Sequence, residues 1–540
     1  MAAIVTDQFR ILNANNFVET VDNSANSYYV VVGLANATSP VVGFGRSSDW
    51  NTETPNPIDN LNYTNHVGDT MTFGKKVTSD NVRRLISRRN WTQGTKYEMY
   101  RHDYSLKKPS PGTGSSRLYD ASYYVMNQNF DVYICIDNGS SGINTTGNAS
   151  QDEPVFTDLE PSRAGESGDG YIWKYLFTVP PSDIIKFDST EYISVPSNWP
   201  TDATTQIQSV RENGDSTINN NQIRKVYIDQ QGFGYTQNQT GVEVNIIGDG
   251  SGAKVVIDTD SEGKIIKTNV SSGGQGYSYG MVDLGGLGSP TTRAKLIPII
   301  PPSKGHGSDI YKELGADRVL VYARFDDSTK DFPIDTKFAQ IGIVKNPTSI
   351  GSTQVFTQSQ YSSVSSLYLS SFDSPTPAKI GDLITQDVKN SSGVVIGQVR
   401  GYVVSFDIIS TDVSDKIAVL KYYQDRSLYF NSTTGDQTDA VGINSISGTN
   451  GQIYKFSGTE IIKGTDGAGS DYQVGIKTAF SGISTNPTGT KIVDLGVEFK
   501  DGVAQSEINN QSGDIIYLDN RQLITRDSRQ KEDIKVILEF

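Results

Sequence analysis

The sequence predicts a mainly β fold: a multi-layer β-sandwich core with two inserted β-rich domains and one or two short helices. Three observations carry that reading. Apolar and polar residues alternate with a period of two in several separated stretches. Glycine is abundant, at 52 of 540 residues, and a glycine-tyrosine unit occurs twice. Helical periodicity is rare by comparison.

Taken in chain order, the best helical candidate is "TSDNVRRLISRRNW" at 78–91. Ser79 or Asp80 can cap it, and Val82, Leu85 and Ile86 make an i, i+3, i+4 stripe. "GYIWKYLFTV" then reads as a strand, with Tyr171, Trp173, Tyr175, Phe177 and Val179 on one face and Ile172, Lys174, Leu176 and Thr178 on the other. The repeat follows. "KVYIDQQGFGYT" and "GVEVNIIGDGSGAKVVI" make one copy; "IIKTNVSSGGQGYSYGMVDLGGLGSPTTRAKLIPI" makes the second. Gly232 and Lys254 recur as Gly274 and Lys295, so each copy reads strand, G-x-G-Y-T/S turn, strand, glycine turn, Ala-Lys strand. A unit this short cannot bury its apolar face alone but can against its copy.

"RVLVYARF" places Val319, Val321, Ala323 and Phe325 together. "AKIGDLITQDVKNSSGVVIGQVRGYVVSFD" alternates Val and Ile across turn signals, as a small barrel or sandwich does. A second, weaker helical stretch is "GVAQSEINNQSG" at 502–513, and "IKVILEF" at 534–540 reads as a tied-down terminal strand. The expected organisation is therefore 1–204 and 305–372 as core, 505–540 as strands completing it, and 205–304 and 373–504 as insertions from core loops, where added chain is tolerated.

Composition limits the function. With 47 basic and 61 acidic groups the net charge is −14, which repels phosphate backbones and argues against a general nucleic-acid binder. Cys135 is the only cysteine, so no intrachain disulfide forms. "MAAIVTDQFRILNANN" lacks a charged n-region leading into an apolar run, so no signal peptide is expected, and no stretch has the length to span a bilayer. Synthesis in a host cytoplasm, without membrane insertion, is the expectation.

Several motifs imitate chemistry. "GYSYG" fits the serine-hydrolase elbow, with Ser278, Asp283 and His306 in a known triad order. Yet Ser278 is the repeat counterpart of Thr236, and "MVDLGGLGSP" cannot supply the helix that must follow an elbow. His66, His102 and His306 are never three or four residues apart, and with one cysteine no zinc-ligand spacing is assembled. "DTDSEGKIIKTN" places Asp258, Asp260, Glu262 and Gly263 as in a calcium loop, but Asn269 stands where the bidentate Glu belongs, so a hairpin turn is expected. "GDGSGA" at 248–253 lacks the features of a phosphate cradle. No catalytic residue, metal or cofactor is expected. Arg83, Arg84, Arg88 and Arg89 are the sharpest basic cluster, open to two readings: a solvated face or a partner contact.

Scattered motifs then point to a family. "VTDQFR" (5–10), "FGRSSDW" (44–50), "ISRRNW" (86–91), "GDGYIWKYLFTVPP" (168–181) and "EYISVP" (191–196) occur in that order. "QIGIVKNP" (340–347) and "SGDIIYLDNRQLITRDSRQKEDIKVILEF" (512–540) complete the series. Together they resemble the gene-eight baseplate wedge proteins of T-even-type contractile-tailed bacteriophages; the long, repeat-bearing form looks closest to those of cyanobacterial myoviruses. The resemblance covers roughly 1–200, 305–350 and 505–540 and leaves out the repeat and the stretch near 370–500.

It implies a non-enzymatic late virion protein of the tail baseplate, built as a layered β-sandwich. Such a subunit pairs as a homodimer, joins other wedge proteins around a hub, and takes part in the shape change that triggers sheath contraction. Fibre or peripheral baseplate proteins are further possible partners. Trp50, Arg88, Arg89 and Trp91 fall in the matched motifs, where core packing explains the tryptophans as well as contact does. The competing reading is a carbohydrate-binding or receptor-contacting tail component, because aromatic-rich β domains often recognise glycans and the insertions have no assigned partner. A glycosidase stays formally open, since acidic residues are abundant but spacing alone does not define a catalytic pair.

Overall fold

The computed structural model describes residues 6–34, 54–213, 222–326, 337–372, 378–412, 415–424, 454–465, 471–487, 491–526 and 530–540. The motif at 44–50 with Trp50, and Val5 of the first motif, lie outside the described residues. By contact the chain divides into two compact units. The first is Met1–Glu19, Val82–Val321 and Val536–Phe540; the second is Thr20–Asn81 and Tyr322–Lys535. The fold is mainly β, as the alternation predicts.

The helices differ from expectation in number and place. Among the described residues there are five: α1 Asp7–Asp22, α2 Leu61–Thr70, α3 Pro181–Phe187, α4 Thr205–Asn213 and α5 Ile310–Leu314. Four of them have a local cause. Thr6 Oγ1 accepts the Phe9 N–H at the start of α1, Asn60 caps α2 by accepting from Tyr63 N at 2.8 Å, and Pro181 opens α3. Asp309 caps α5, which stops at Gly315 with φ 73°.

The helix expected over 78–91 is absent. Ser79–Asn81 forms one 3₁₀ turn and Val82–Ser87 is a strand. Val82, Arg84, Leu85 and Ile86 are all buried, so both faces of that strand are covered. A strand covered twice loses its period of two, and the spacing left behind imitates a helix. The weaker helix at 502–513 is absent too. Val503–Ala504 is a short strand, and Asn509 Nδ2 instead donates to Thr348 Oγ1 at 2.8 Å and Ser349 O at 3.0 Å, side-chain bonding that competes with helix formation.

In the first unit, Tyr124–Met126, Asp131–Asn138 and Tyr171–Thr178 form an antiparallel sheet with Asp131 opposite Thr178 and Asn138 opposite Tyr171. Tyr171, Trp173, Tyr175 and Phe177 are buried on one face, and Lys174 and Leu176 are buried on the other. Tyr171 stacks on Trp173 with centroids 5.2 Å apart, and Tyr97 meets the same indole edge-on at 5.8 Å. Val82–Ser87 pairs with Tyr192–Ser194 and with Arg318–Phe325, setting Arg318 opposite Leu85 and Val321 opposite Val82. The terminal strand, Glu532–Glu539, buries Ile534 and Val536 and exposes Lys535 and Ile537, in the expected alternation.

The repeat region has its own core, from Ile223 to Ile300. Val242–Gly248, Ser251–Thr259, Ile265–Gln275 and Gly280–Val282 form one sheet, and Val226–Gln230 pairs with Lys295–Pro298. Its two copies interlock. Tyr235 of the first copy accepts the Ala294 N–H of the second at 2.9 Å, and Tyr277 of the second accepts the Ala253 N–H of the first at 3.1 Å. Gly232 and Gly274, at φ 68° and 62°, let these approaches happen: a Cβ would stand 2.6 Å from Ala294 N in one case and 2.5 Å from Ala253 N in the other.

In the second unit, a five-stranded antiparallel sheet runs Gln360–Ser362, Met71–Val77, Tyr28–Gly33, Lys337–Lys345, Asp514–Thr525. A separate sheet closes on itself: Ser365–Phe372, Ile417–Tyr423, Val395–Ser410, Leu383–Lys389, Ile462–Thr465 and Asp471–Ile476, the last pairing back to Ser365–Phe372. Of the barrel or sandwich that the Val-Ile alternation allows, the chain forms the barrel. Leu367, Ile384, Val399, Val403, Leu420 and Ile462 fill it. Gly482–Thr485 and Val493–Phe499 make a two-stranded ribbon against Tyr368 and Phe480.

Candidate functional site

The four arginines singled out from sequence stand on or just after the strand Val82–Ser87, not on a helix. Arg83 Nε pairs with Asp183 of α3 at 2.8 Å, its guanidinium over the Phe187 ring at 5.0 Å. Arg84, only 5% exposed, lies over Tyr311 at 4.2 Å and donates to Asn15 Oδ1 at 2.5 Å and Ser197 O at 3.1 Å. Arg88 Nη1 reaches both Asp188 oxygens, at 2.6 and 2.7 Å, and Ser189 O at 2.9 Å. Arg89 donates to Ala121 O and to Tyr119 O (2.8 Å), over the Tyr124 ring. Trp91 packs on the same core, and its Nε1 donates to Ser150 Oγ at 3.0 Å. Guanidiniums use their planar fork here to hold loop carbonyls and carboxylates of their own unit.

The residues of the imitated triad have unrelated partners. Ser278 Oγ donates to Asp249 Oδ2, and Asp249 Oδ1 accepts from Ser278 N at 2.9 Å and Tyr279 N at 3.2 Å. These bonds, the hydroxyl first, hold the Asp249 carboxyl down at about 2. Asp283 Oδ1 accepts from Gly285 N at 3.0 Å within its own turn. His306 Nδ1 pairs with the buried Glu313 at 2.5 Å, and Glu313 also accepts Gly307 N at 2.7 Å. Tyr100 meets the imidazole edge-on at 4.8 Å. The calcium-like stretch is a hairpin turn, as expected: Asp260 Oδ1 accepts from Glu262 N and Lys264 N, and Gly263 takes φ 69°. Among the described residues no group of three or more His, Cys, Asp or Glu could hold a metal, and no helix is long and apolar enough to cross a membrane.

Two features escaped the sequence reading. Lys174 is 3% exposed and lies beside a cavity of about 30 Å³ lined also by Pro161, Asn213, Gln222, Arg224 and His306. Its Nζ donates to Leu159 O at 2.6 Å and Asn213 Oδ1 at 3.0 Å, and burial pulls the amine down to about 8. The alternation placed Lys174 on the strand's second face, but what covers that face is set by residues distant in sequence. The other feature is an apolar patch on the repeat. Met281 stands opposite Ile247 in register and Tyr279 lies two residues before it; Tyr279 is 64% and Met281 68% exposed.

The only cysteine is buried and its thiol is pushed well up by desolvation, an inert rather than a reactive setting. The aromatic sheet of the first unit belongs to a large buried cluster, and comparison with known proteins falls on it. A family profile described as "Bacteriophage T4, Gp8" matches residues 135–233, from within the strand Asp131–Asn138 to the first repeat turn. The baseplate wedge protein gp8 of Enterobacteria phage T4 is 25% identical over 222 residues, covering 37% of this chain. The chain spans 61% of the length of that relative. These matches bear out what the ordered motifs indicate, a resemblance to the gene-eight baseplate wedge family.

Proposed function

We propose that the chain is a structural, non-enzymatic subunit of a baseplate wedge in the tail of a contractile-tailed bacteriophage. The observation that carries this reading is where the family match lies. Residues 135–233 take in the strand Tyr171–Thr178 and the second half of Asp131–Asn138, most of whose side chains are packed away from solvent. What is shared is thus chiefly packed framework. In this reading the protein is made in the host cytoplasm and resides in the virion baseplate. It pairs as a homodimer, joins other wedge proteins, with fibre or peripheral proteins as outer neighbours, and follows the rearrangement that releases the sheath. Residues 1–204, 305–372 and 505–540 serve as its core, while 205–304 and 373–504 are decorations. Arg83, Arg84, Arg88 and Arg89 serve partner contact indirectly, by holding loops such as 119–121 and 188–189 in shape.

Co-expression with the remaining wedge proteins of the same phage, followed by size-exclusion chromatography with light scattering, tests this. A dimer that co-elutes with wedge partners is expected; a lone monomer that enters no such complex refutes it.

One observation favours a second reading for the repeat alone. Tyr279 is an exposed aromatic face beside the Asp249–Ser278 pair, a combination suited to stacking on a sugar ring. A glycan array that responds to the full chain and falls silent for Tyr279→Ala would support a receptor-contacting role; an array with no response to either removes it.

A further inference from the structure

Lys174, Asn213 and Glu160 form a chain of contacts that the structural role does not use. The Lys174 amine points at the Asn213 side-chain amide, Nζ to Oδ1 3.0 Å. The other end of the same amide, Nδ2, donates to Glu160 Oε1 at 3.2 Å. An amine at one end and a carboxylate at the other also fix which way the amide faces. Glu160 is held in turn by Arg224 Nη2 at 2.8 Å, and Leu159 O anchors the amine at 2.6 Å. Lys174 lies on the strand Tyr171–Thr178, on the face opposite the buried rings of Trp173 and Tyr175, and Asn213 ends α4.

We propose that Lys174 and Asn213 condense into an intramolecular isopeptide bond, with Glu160 as the proton carrier. The neutral amine attacks Asn213 Cγ and forms a C–N bond. The Glu160 carboxylate takes one proton from the attacking nitrogen and delivers it to the departing Nδ2. The Cγ–Nδ2 bond breaks, and ammonia leaves. One amide replaces another, no oxidant or reductant takes part, and the second lysine hydrogen stays on the new N–H.

Four features of the site favour the step. An ammonium hydrogen aimed at the amide becomes, once lost, a lone pair aimed at the amide. Burial brings that loss within reach of neutral pH, since the amine sits at about 8 rather than 10.5. Holding both groups in contact replaces an encounter between separate molecules by an internal reaction. The adjoining cavity, lined by both reacting residues, gives the ammonia a way out. The product ties the central aromatic strand to the end of α4 by a covalent bond.

Mass spectrometry of the purified full-length chain tests this. The intact protein should be lighter by one ammonia, and a tryptic digest should yield a branched peptide joining Lys174 to Asn213. The loss should speed up as pH rises through about 8, disappear in Lys174→Arg, and slow by about a hundredfold in Glu160→Gln. Asn213 precedes Gly214, so ring closure onto the next backbone nitrogen would also release ammonia; a mass loss that persists in Lys174→Arg, with no branched peptide, assigns it to that reaction and overturns the proposal. Absence of the branched peptide after long incubation well above pH 8 overturns it as well. Should Lys174→Arg not fold, the peptide from the unaltered chain still decides.

Discussion

Arg84 and Arg88 are neighbours in sequence with different energetics. Arg84 is buried, stacked on Tyr311 and bonded to Asn15 and Ser197, so Arg84→Ala should cost about 2–4 kcal/mol in urea unfolding, from lost packing and stranded acceptors. Arg88 pairs with Asp188 at about one-fifth exposure of each side chain, and solvent screening brings the expected cost of Arg88→Ala down to about 1 kcal/mol. Asp249 offers a pH test. Its folded value of about 2 lies below the ordinary 3.8, so the stability it contributes is present above 3.8 and lost as pH falls through about 2. Ser278→Ala should raise the Asp249 midpoint, read by carboxyl NMR, with no change in any hydrolytic background. The sequence told that Ser278 is a repeat position and not a nucleophile. It was silent on the arginine partners, because Asp183, Asp188 and Tyr311 lie far along the chain and no local rule pairs them.

At the scale of elements, strands with one wet face were legible and strands with two dry faces were not. Ile534, Val536 and Leu538 alternate with exposed neighbours and were read correctly; Val82–Ser87 was read as a helix because its second face is covered as well. Helix α1 was missed although Ile11, Ala14, Val18 and Val21 form its buried stripe, since Phe9 and Leu12 on the outer face and three asparagines blur the pattern. The repeat was legible as a repeat, but the exchange of hydroxyl bonds between its copies was not, because a period in sequence does not say which copy meets which. Tyr235→Phe and Tyr277→Phe should each cost about 1 kcal/mol by leaving a backbone N–H without its acceptor. The double variant should cost less than the sum if the two bonds hold one interlock. Gly232→Ala and Gly274→Ala should each be worse, at least about 1–2 kcal/mol, because left-handed backbone and a close approach to Ala294 or Ala253 coincide.

Across the whole chain, two compact units with separate hydrophobic clusters predict unfolding in more than one step. Calorimetry should give a van't Hoff enthalpy below the calorimetric one. Leu420→Ala in the barrel and Ile257→Ala in the repeat should each remove about 2–5 kcal/mol but lower different transitions; a single transition shifted equally by both would show the units to be one cooperative body. Composition spoke clearly at this scale: abundant glycine and alternating strands announced the β class. How distant stretches join into two units was beyond it, because strand partners such as Ser365–Phe372 and Asp471–Ile476 are chosen by long-range shape.

The barrel's closure has one further meaning. Paired side by side into a ring, those six strands leave few backbone rungs on which a neighbouring molecule could add another, and those at Ser366 and Leu367 are already taken by Val503–Ala504. Crowding many identical copies side by side thus carries little danger of runaway fibre growth from this part, and whatever grips it must do so through side chains and loops.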